Sequence, residues 1–216
     1  MPAAPREAAE LSAAAFAAQF DVSRETLARL RLYLELLQHW QQRINLVGAS
    51  TLRDPWRRHI LDSAQLLHRL PTKVDTLIDL GSGAGLPGMV LALLGVPGVH
   101  LIEANRRKAE FLRAVARATA AAVTVHGERI EQLAPWPADV VTARALAPLP
   151  RLLALAAPFL GANTTCLFLK GRLVEHELTA ARKRWHMMPR MFASLSEPSS
   201  VVLELRGIGR ASDRQS

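Results

Sequence analysis

The sequence predicts an α/β fold, a mostly parallel sheet covered by helices on both faces and preceded by a helical segment. Three observations carry it. After Pro71, short aliphatic and β-branched runs alternate with helical stretches; before Pro71, apolar residues recur at three- and four-residue steps; and a glycine-rich loop links the first run to the helix behind it. With 216 residues and a hydrophobic content of 50%, the chain suffices for one substantial core, so one domain is expected.

The elements follow in order. Residues 7–19 are Ala-rich and read as a first helix. Ser23 is a good N-cap, and Leu27, Leu30, Leu34, Leu37, Trp40 and Ile44 share one face, which predicts an amphipathic helix over 24–44. Asp54 as cap and Pro55 as first helical residue begin another over 55–70, with Trp56, Ile60, Ala64 and Leu67 on one side. Strands are then predicted near 76–80, 99–103, 122–126, 138–143 and 164–170, with helices near 87–95, 106–120, 128–133, 148–158 and 173–184. Two last β-like runs, 185–193 and 199–206, are separated by the turn-forming Ser194–Ser200 and read as an antiparallel pair at one edge. The chain thus divides into a helical segment at 1–71 packed on the core, a sheet-bearing core at 72–208, and a tail at 209–216 expected to be disordered.

The 27 Lys+Arg against 19 Asp+Glu give a formal charge of +8, which favours polyanions or anionic surfaces as partners, with the excess greatest towards the C-terminus. A single cysteine, Cys166, excludes an internal disulfide and a Cys-based zinc site, and fits a reducing cytoplasm. Met1–Phe20 is interrupted by Arg6, Glu7 and Glu10 and makes a poor signal peptide. Leu152–Ala162 is apolar but short and holds Pro158 and Gly161, so no membrane span is expected. The histidines lack metal-ligand spacing, so no metal is expected either.

The strand Thr76–Leu80 runs into Gly81-Ser82-Gly83-Ala84-Gly85 and a helix start at Leu86-Pro87-Gly88. Such glycines permit positive φ and a close backbone approach to a ligand, while the helix presents unpaired N–H groups. Gly81 and Gly83 are the candidate cofactor contacts. Glu103, at the end of the second strand, is placed to accept hydrogen bonds from ribose hydroxyls. Two cofactors compete, because Gly83–Gly88 also satisfies the dinucleotide pattern G-x-G-x-x-G. S-adenosylmethionine is favoured over NAD: the dinucleotide register would push Gly81-Ser82 into the strand, Asp79 adds a carboxylate where a cationic donor would sit, and 216 residues leave no dehydrogenase catalytic domain.

The fourth strand ends Val141-Thr142-Ala143-Arg144-Ala145-Leu146, without the Asn/Asp-Pro-Pro-aromatic turn used on exocyclic amines. Carbon-5 methylation of a pyrimidine needs a Cys nucleophile at a strand end, and Cys166 is mid-strand, where core packing explains it better. What remains is an atom that already carries a lone pair, such as a purine ring nitrogen, for which catalysis is largely positioning. Arg144 and Lys170, at neighbouring strand ends, are then candidate donors to a base edge, a phosphate or the cofactor carboxylate.

Asn45-Leu46, Arg58-His59-Ile60-Leu61-Asp62-Ser63, Asp79–Gly88, Lys108-x-x-Phe111-Leu112, Val141–Ala145 and Leu169-Lys170-Gly171 occur in an order and at spacings that resemble the bacterial 16S ribosomal RNA guanine-N7 methyltransferase family, also called glucose-inhibited division protein B. The resemblance covers roughly residues 25–206. It implies a Rossmann-like class I methyltransferase with a mostly parallel seven-stranded sheet and an N-terminal helical extension. It further implies S-adenosylmethionine as cofactor and N7 of a guanine in 16S rRNA (position 527, in the 530 loop) as target. The cofactor positions it implies are Gly81, Leu86, Ile130, Glu131 and Arg144. Glu103 stands where the family commonly has Asp, a longer carboxylate for the same ribose role, and Asn105-Arg106-Arg107-Lys108 departs from the usual sequence.

Arg58, His59, Arg106, Arg107, Lys170 and Arg172 form the expected RNA-binding set, with no residue required as a proton acceptor. His59, Asp62 and Ser63 lie side by side on one helix without a nucleophile elbow, which argues against a hydrolase triad and for a hydrogen-bond network beside the substrate cleft. The expected partner is 16S rRNA or the small ribosomal subunit, and the expected protein a cytoplasmic monomer. A small NAD-binding oxidoreductase and a non-enzymatic RNA-binding protein that keeps the fold are the alternatives.

Overall fold

The computed structural model describes residues 10–211. Seven strands, β1 (Leu77–Leu80), β2 (Val99–Ile102), β3 (Val123–His126), β4 (Ala138–Arg144), β5 (Leu160–Lys170), β6 (Trp185–Ala193) and β7 (Val201–Arg210), form one sheet. Its order is β3-β2-β1-β4-β5-β7-β6. The first five strands pair in parallel, while β7 runs antiparallel to both β5 and β6. The terminal pair therefore closes one edge as expected, with the last strand inserted on its inner side. Strand order reverses between β1 and β4, and the crevice at the carboxyl ends of strands about such a reversal is where open α/β sheets bind ligands.

The helices are α1 (Ala13–Phe20), α2 (Arg24–Gln41), α4 (Gly88–Leu93), α5 (Arg106–Thr119), α6 (Leu149–Ala156) and α7 (Val174–Ala181), together with a short α3 (Asp62–Ala64). This α3 is the middle turn of one helical stretch, between a π-type turn at Trp56–Leu61 and a 3₁₀ turn at Gln65–Arg69. Ser12, Ser23 and Asn105 cap α1, α2 and α5 with side-chain oxygens, as short polar residues before an apolar repeat should. Alternation along β1 splits the core in two. Leu77 faces the N-terminal helices, α4 and α5, together with Leu101, Val140 and Leu167. Ile78 and Leu80 face α6 and α7 with Val141, Cys166 and Phe168. Phe16, Leu30, Tyr33, Leu37 and Ile60 are buried in the first layer, so the N-terminal helices complete one face of the sheet. Cys166 is fully buried and its thiol pKa is pushed up by burial, which is the signature of a packing residue.

The departures from the sequence reading have local causes. The second helix stops at Gln41 rather than 44, because the Gln41 amide turns on the chain beyond it, accepting from Leu46 N (2.9 Å) and Val47 N (3.0 Å) and donating to Val47 O (2.9 Å). The helix expected at 128–133 is one 3₁₀ turn, Ile130–Gln132. A further 3₁₀ turn at Ala49–Arg53 carries no apolar periodicity to betray it. β5 starts at Leu160, ahead of the expected 164, with the bulge in its pairing to β4 taking up the extra residues. Gly209 and Arg210, expected in the tail, belong to β7. The first residues of the predicted helix 7–19 and the end of the tail lie outside the described residues.

Candidate functional site

At the carboxyl end of β1, Gly81 (φ 64°), Gly83 (φ 56°) and Gly85 (φ 89°) all take the left-handed conformation that glycine alone adopts freely. The sites differ in what surrounds them. A Cβ on Gly81 would sit 2.5 Å from Leu146 Cδ1, whereas one on Gly83 would meet nothing nearer than Gly81 O at 3.8 Å. Gly83 therefore faces open space. Tyr33 of α2 donates its hydroxyl to Ala84 O (2.9 Å), so the N-terminal extension braces the loop.

Asp79 corrects one expectation. Its carboxylate does not wait beside a ligand: it is fully buried and accepts from Thr142 Oγ1 (2.8 Å) and Gly88 N (3.2 Å). Burial pushes its pKa up to about 6. The group anchors the start of α4 to the sheet, and Gly88 is needed there because a Cβ would lie 2.7 Å from Asp79 Cβ.

Two clefts open on this loop, and a third adjoins them at Ala145. The first, about 360 Å³, is lined by Gly81, Gly83, Glu103, Ile130, Glu131 and Leu146 among others. Glu103 accepts from Gly83 N (2.8 Å) and Asn105 N (2.7 Å), tying the loop after β1 to the loop after β2. The second, about 270 Å³, is bounded by Leu46, Val47, Gly83, Leu86, Lys108 and Arg144. Lys108 borders both. The third and largest, about 570 Å³, is lined on its charged side by Arg58, Asp62, Arg144, Lys170, Glu177 and Glu197. Ala145 lines all three. It is a non-glycine residue at φ 51°, a costly conformation of the sort that surrounding structure holds at functional turns.

Every cation of the large cleft is held by an anion. Arg144 donates to Asp62 Oδ2 (2.8 Å), to Arg58 O (3.0 Å) and to His59 Nδ1 (3.3 Å). His59 in turn uses Nε2–H towards Thr51 Oγ1 (3.1 Å), whose own hydroxyl donates to Gly48 O (2.6 Å). This fixes the tautomer. Burial first, and the Arg144 charge next, lower the His59 pKa to about 3. Lys170 pairs with Glu177 (2.6 Å) and donates to Ala147 O (3.0 Å), while the same Glu177 oxygen accepts from Leu149 N (2.7 Å). Arg58 pairs with Glu197.

The structure thus gathers Gly81, Gly83, Glu103, Ile130 and Glu131 on one cleft, Leu86 and Arg144 on the next, and Arg58, Arg144 and Lys170 on the third. It does not gather the rest. His59 is fully buried and offers no surface to RNA; its neutral ring positions Arg144 instead. Arg106 and Arg172 are exposed outside the three clefts. Arg107 lines a separate outer cleft of about 290 Å³ with Arg43, Asn45 and Lys108. The sequence reading missed Ser196, Glu197 and Ser200, which it took for a plain turn; they enclose the large cleft because Gln65 and Asp62 hold their loop. Nothing local marks that docking. Among the described residues no group of three or more His, Cys, Asp or Glu is arranged to hold a metal, and no helix is long and apolar enough to cross a membrane.

Comparison with known proteins identifies relatives of the chain. A family profile described as rRNA small subunit methyltransferase G matches residues 26–201. The chain is similar to a ribosomal RNA small subunit methyltransferase G from Rhodospirillum rubrum, at 57% identity over 91% of this chain and 98% of the relative. Among solved structures it is similar in fold to a ribosomal protein L11 methylase from Lactobacillus delbrueckii subsp. bulgaricus (TM-score 0.55, 16% identity, 68% of this chain and 76% of that one). It is also similar in fold to a glycopeptide N-methyltransferase complexed with S-adenosylmethionine (TM-score 0.54, 12% identity, 68% of this chain and 93% of that one).

Proposed function

The chain belongs to the rRNA small subunit methyltransferase G family, and on that premise we propose that it methylates N7 of a guanine in 16S rRNA, with S-adenosylmethionine as donor. The observation that carries the reading is the meeting of three clefts at Ala145: a glycine-loop cleft with a carboxylate on one side and a cation-lined cavity on the other.

The residues present fit the cofactor. Gly83 leaves open space where any side chain would intrude. Glu103 can accept from ribose hydroxyls while keeping its two backbone donors, since an ionised carboxylate offers about four acceptor sites. With the cofactor bound, Ile130 and Glu131, which line the first cleft, would hold its adenine end, and Leu86 and Arg144, which line the second, its methionine end. When bound, S-adenosylmethionine supplies a sulfonium methyl group that a ring-nitrogen lone pair accepts in line, without loss of a proton. The chain's own task is then orientation. Arg144 is immobilised by Asp62 and His59, and Lys170 by Glu177, so the cations that face the incoming base start from fixed positions. We read the enzyme as a cytoplasmic monomer, its substrate the RNA or the small subunit; among the described residues the exposed large apolar side chains are Leu173, Met188, Met191 and Leu195, and the monomer reading rests on their small number.

Transfer of labelled methyl to 30S subunits lacking the modification, followed by mapping of the modified base, tests the reading. Label on N7 of a guanine is the expected result, and label elsewhere or on no RNA refutes it. For the cofactor cleft, Gly83→Asp sets a carboxylate beside Glu103, and calorimetry should show S-adenosylmethionine affinity falling at least about 100-fold, a coupling of about 2.7 kcal/mol. Unchanged affinity would remove Gly83 from the site.

A further inference from the structure

The large cleft holds three carboxylates, and two of them are already committed. Asp62 takes Arg144 on one oxygen and Ser196 and Gln65 on the other. Glu177 takes Lys170 and the Leu149 amide. Glu197 differs. One oxygen receives Arg58, while the other has only Ser199 Oγ at 3.3 Å among side-chain donors, and the side chain is 33% exposed at the cleft wall.

Its position is nevertheless fixed. Ser200 N donates to Glu197 O (3.0 Å) and Ser194 N to Ser200 O (3.1 Å), which closes the loop on itself. Pro198 restricts the residue before it to extended conformations. The loop is strapped to the helical stretch 56–69 through Gln65, which accepts from Leu195 N (2.8 Å) and donates to Ser194 Oγ (3.2 Å). The hydrogen bond from Arg58 holds the Glu197 pKa below the usual glutamate value, so the group is an anion at neutral pH.

The chemistry of the bases decides what such a group can select. Guanine alone displays two adjacent donors, N1–H and the N2 amino group, on its Watson–Crick edge; adenine and cytosine pair a donor with a ring acceptor, and uracil offers a single ring N–H. Arg58, Arg144 and Lys170 are donors only and cannot read that edge. Building on the methyltransferase reading, we infer that Glu197 is the specificity-determining residue of the base cleft, its carboxylate accepting N1–H and N2–H of the target guanine once that base is turned out of its stack. Enzymes that act on bases read the extruded base by its Watson–Crick edge, which makes an acceptor on the cleft wall the complement to donors on the floor.

The test compares an RNA fragment carrying guanine at the target with one carrying inosine, which keeps N7 and N1–H but lacks the N2 amino group. Wild-type enzyme should favour guanine about tenfold in kcat/KM, and Glu197→Gln, which brings a donor to the same place, should bring that ratio close to one. S-adenosylmethionine affinity, read by calorimetry, should match wild type and certifies folding. Should the Gln variant not turn over, competition of the two fragments for binding gives the same ratio, and Glu197→Ala serves as a second variant. Equal wild-type rates on the two fragments, or a variant that keeps the wild-type ratio, would overturn the inference. Wild-type enzyme that methylates neither fragment nor 30S subunits would instead refute the methyltransferase reading beneath it.

Discussion

Lys170 illustrates how a single residue acquires its role from its neighbour. Its side chain is only 9% exposed and its ammonium is bonded to Glu177, so Lys170→Met leaves that carboxylate without its cation at a mostly buried site. Unfolding should lose about 3 kcal/mol. Adding Glu177→Gln should restore most of that stability without restoring methyl transfer, as thermal melts and transfer assays on the same variants will show. His59 and Asp79 make opposite pH terms. The folded chain holds His59 near 3, well below the 6.5 of a free imidazole, so its contribution is complete above pH 6.5 and is lost as the pH falls towards 3. Asp79 is raised from 3.8 to about 6, so the folded chain keeps a proton the unfolded chain releases, and stability from this group is lost as the pH rises through that window. His59→Gln should therefore flatten the acid side of the melting-temperature profile, and Asp79→Asn should remove a decline between about pH 4 and 6. Melts across pH 4–8 decide both.

At the scale of elements, the N-terminal helices brace the proposed cofactor site rather than forming an appendage. The Tyr33 hydroxyl of α2 is the buried donor to Ala84 in the glycine loop. Tyr33→Phe keeps the packing but strands that carbonyl, which should cost about 1 kcal/mol and loosen S-adenosylmethionine binding several-fold. Wild-type affinity by calorimetry would show that the loop is held by its glycines alone. The π-type turn at Trp56–Leu61 serves the other wall: it directs Arg58 into the cleft while His59 is buried against Arg144. Such a wound-out turn is a common device at functional sites.

For the whole molecule, the charge of +8 matters through distribution. The cations lining the large cleft are matched by Asp62, Glu177 and Glu197, whereas Arg43, Arg107 and Lys108 meet on the outer cleft without a carboxylate in its lining. RNA affinity should accordingly fall steeply with salt while S-adenosylmethionine affinity does not. Arg107→Ala should lessen the slope of log K against log salt by about 0.7, the loss of one phosphate contact on single-stranded RNA. Filter-binding titrations from about 50 to about 300 mM salt, over which the Debye length falls from about 14 to about 6 Å, measure it; an unaltered slope would place the RNA elsewhere.

Much of this was determined by the sequence alone. The alternation of aliphatic runs with helical repeats specifies the parallel sheet, because a strand buried on both faces must be apolar throughout, as Leu77–Leu80 nearly is. The glycine loop and Glu103 mark the proposed cofactor cleft for the same local reason: positive φ and a strand-end carboxylate are written in residue types. Tertiary structure alone decided the rest, since partners distant in sequence choose between outcomes that are locally equal. Asp79 became an anchor because Thr142 lies beside it on the neighbouring strand; His59 became buried because Arg144 and Thr51 close over it; and the Ser194–Ser200 turn became a cleft wall because Gln65, 130 residues before Leu195, holds it in place.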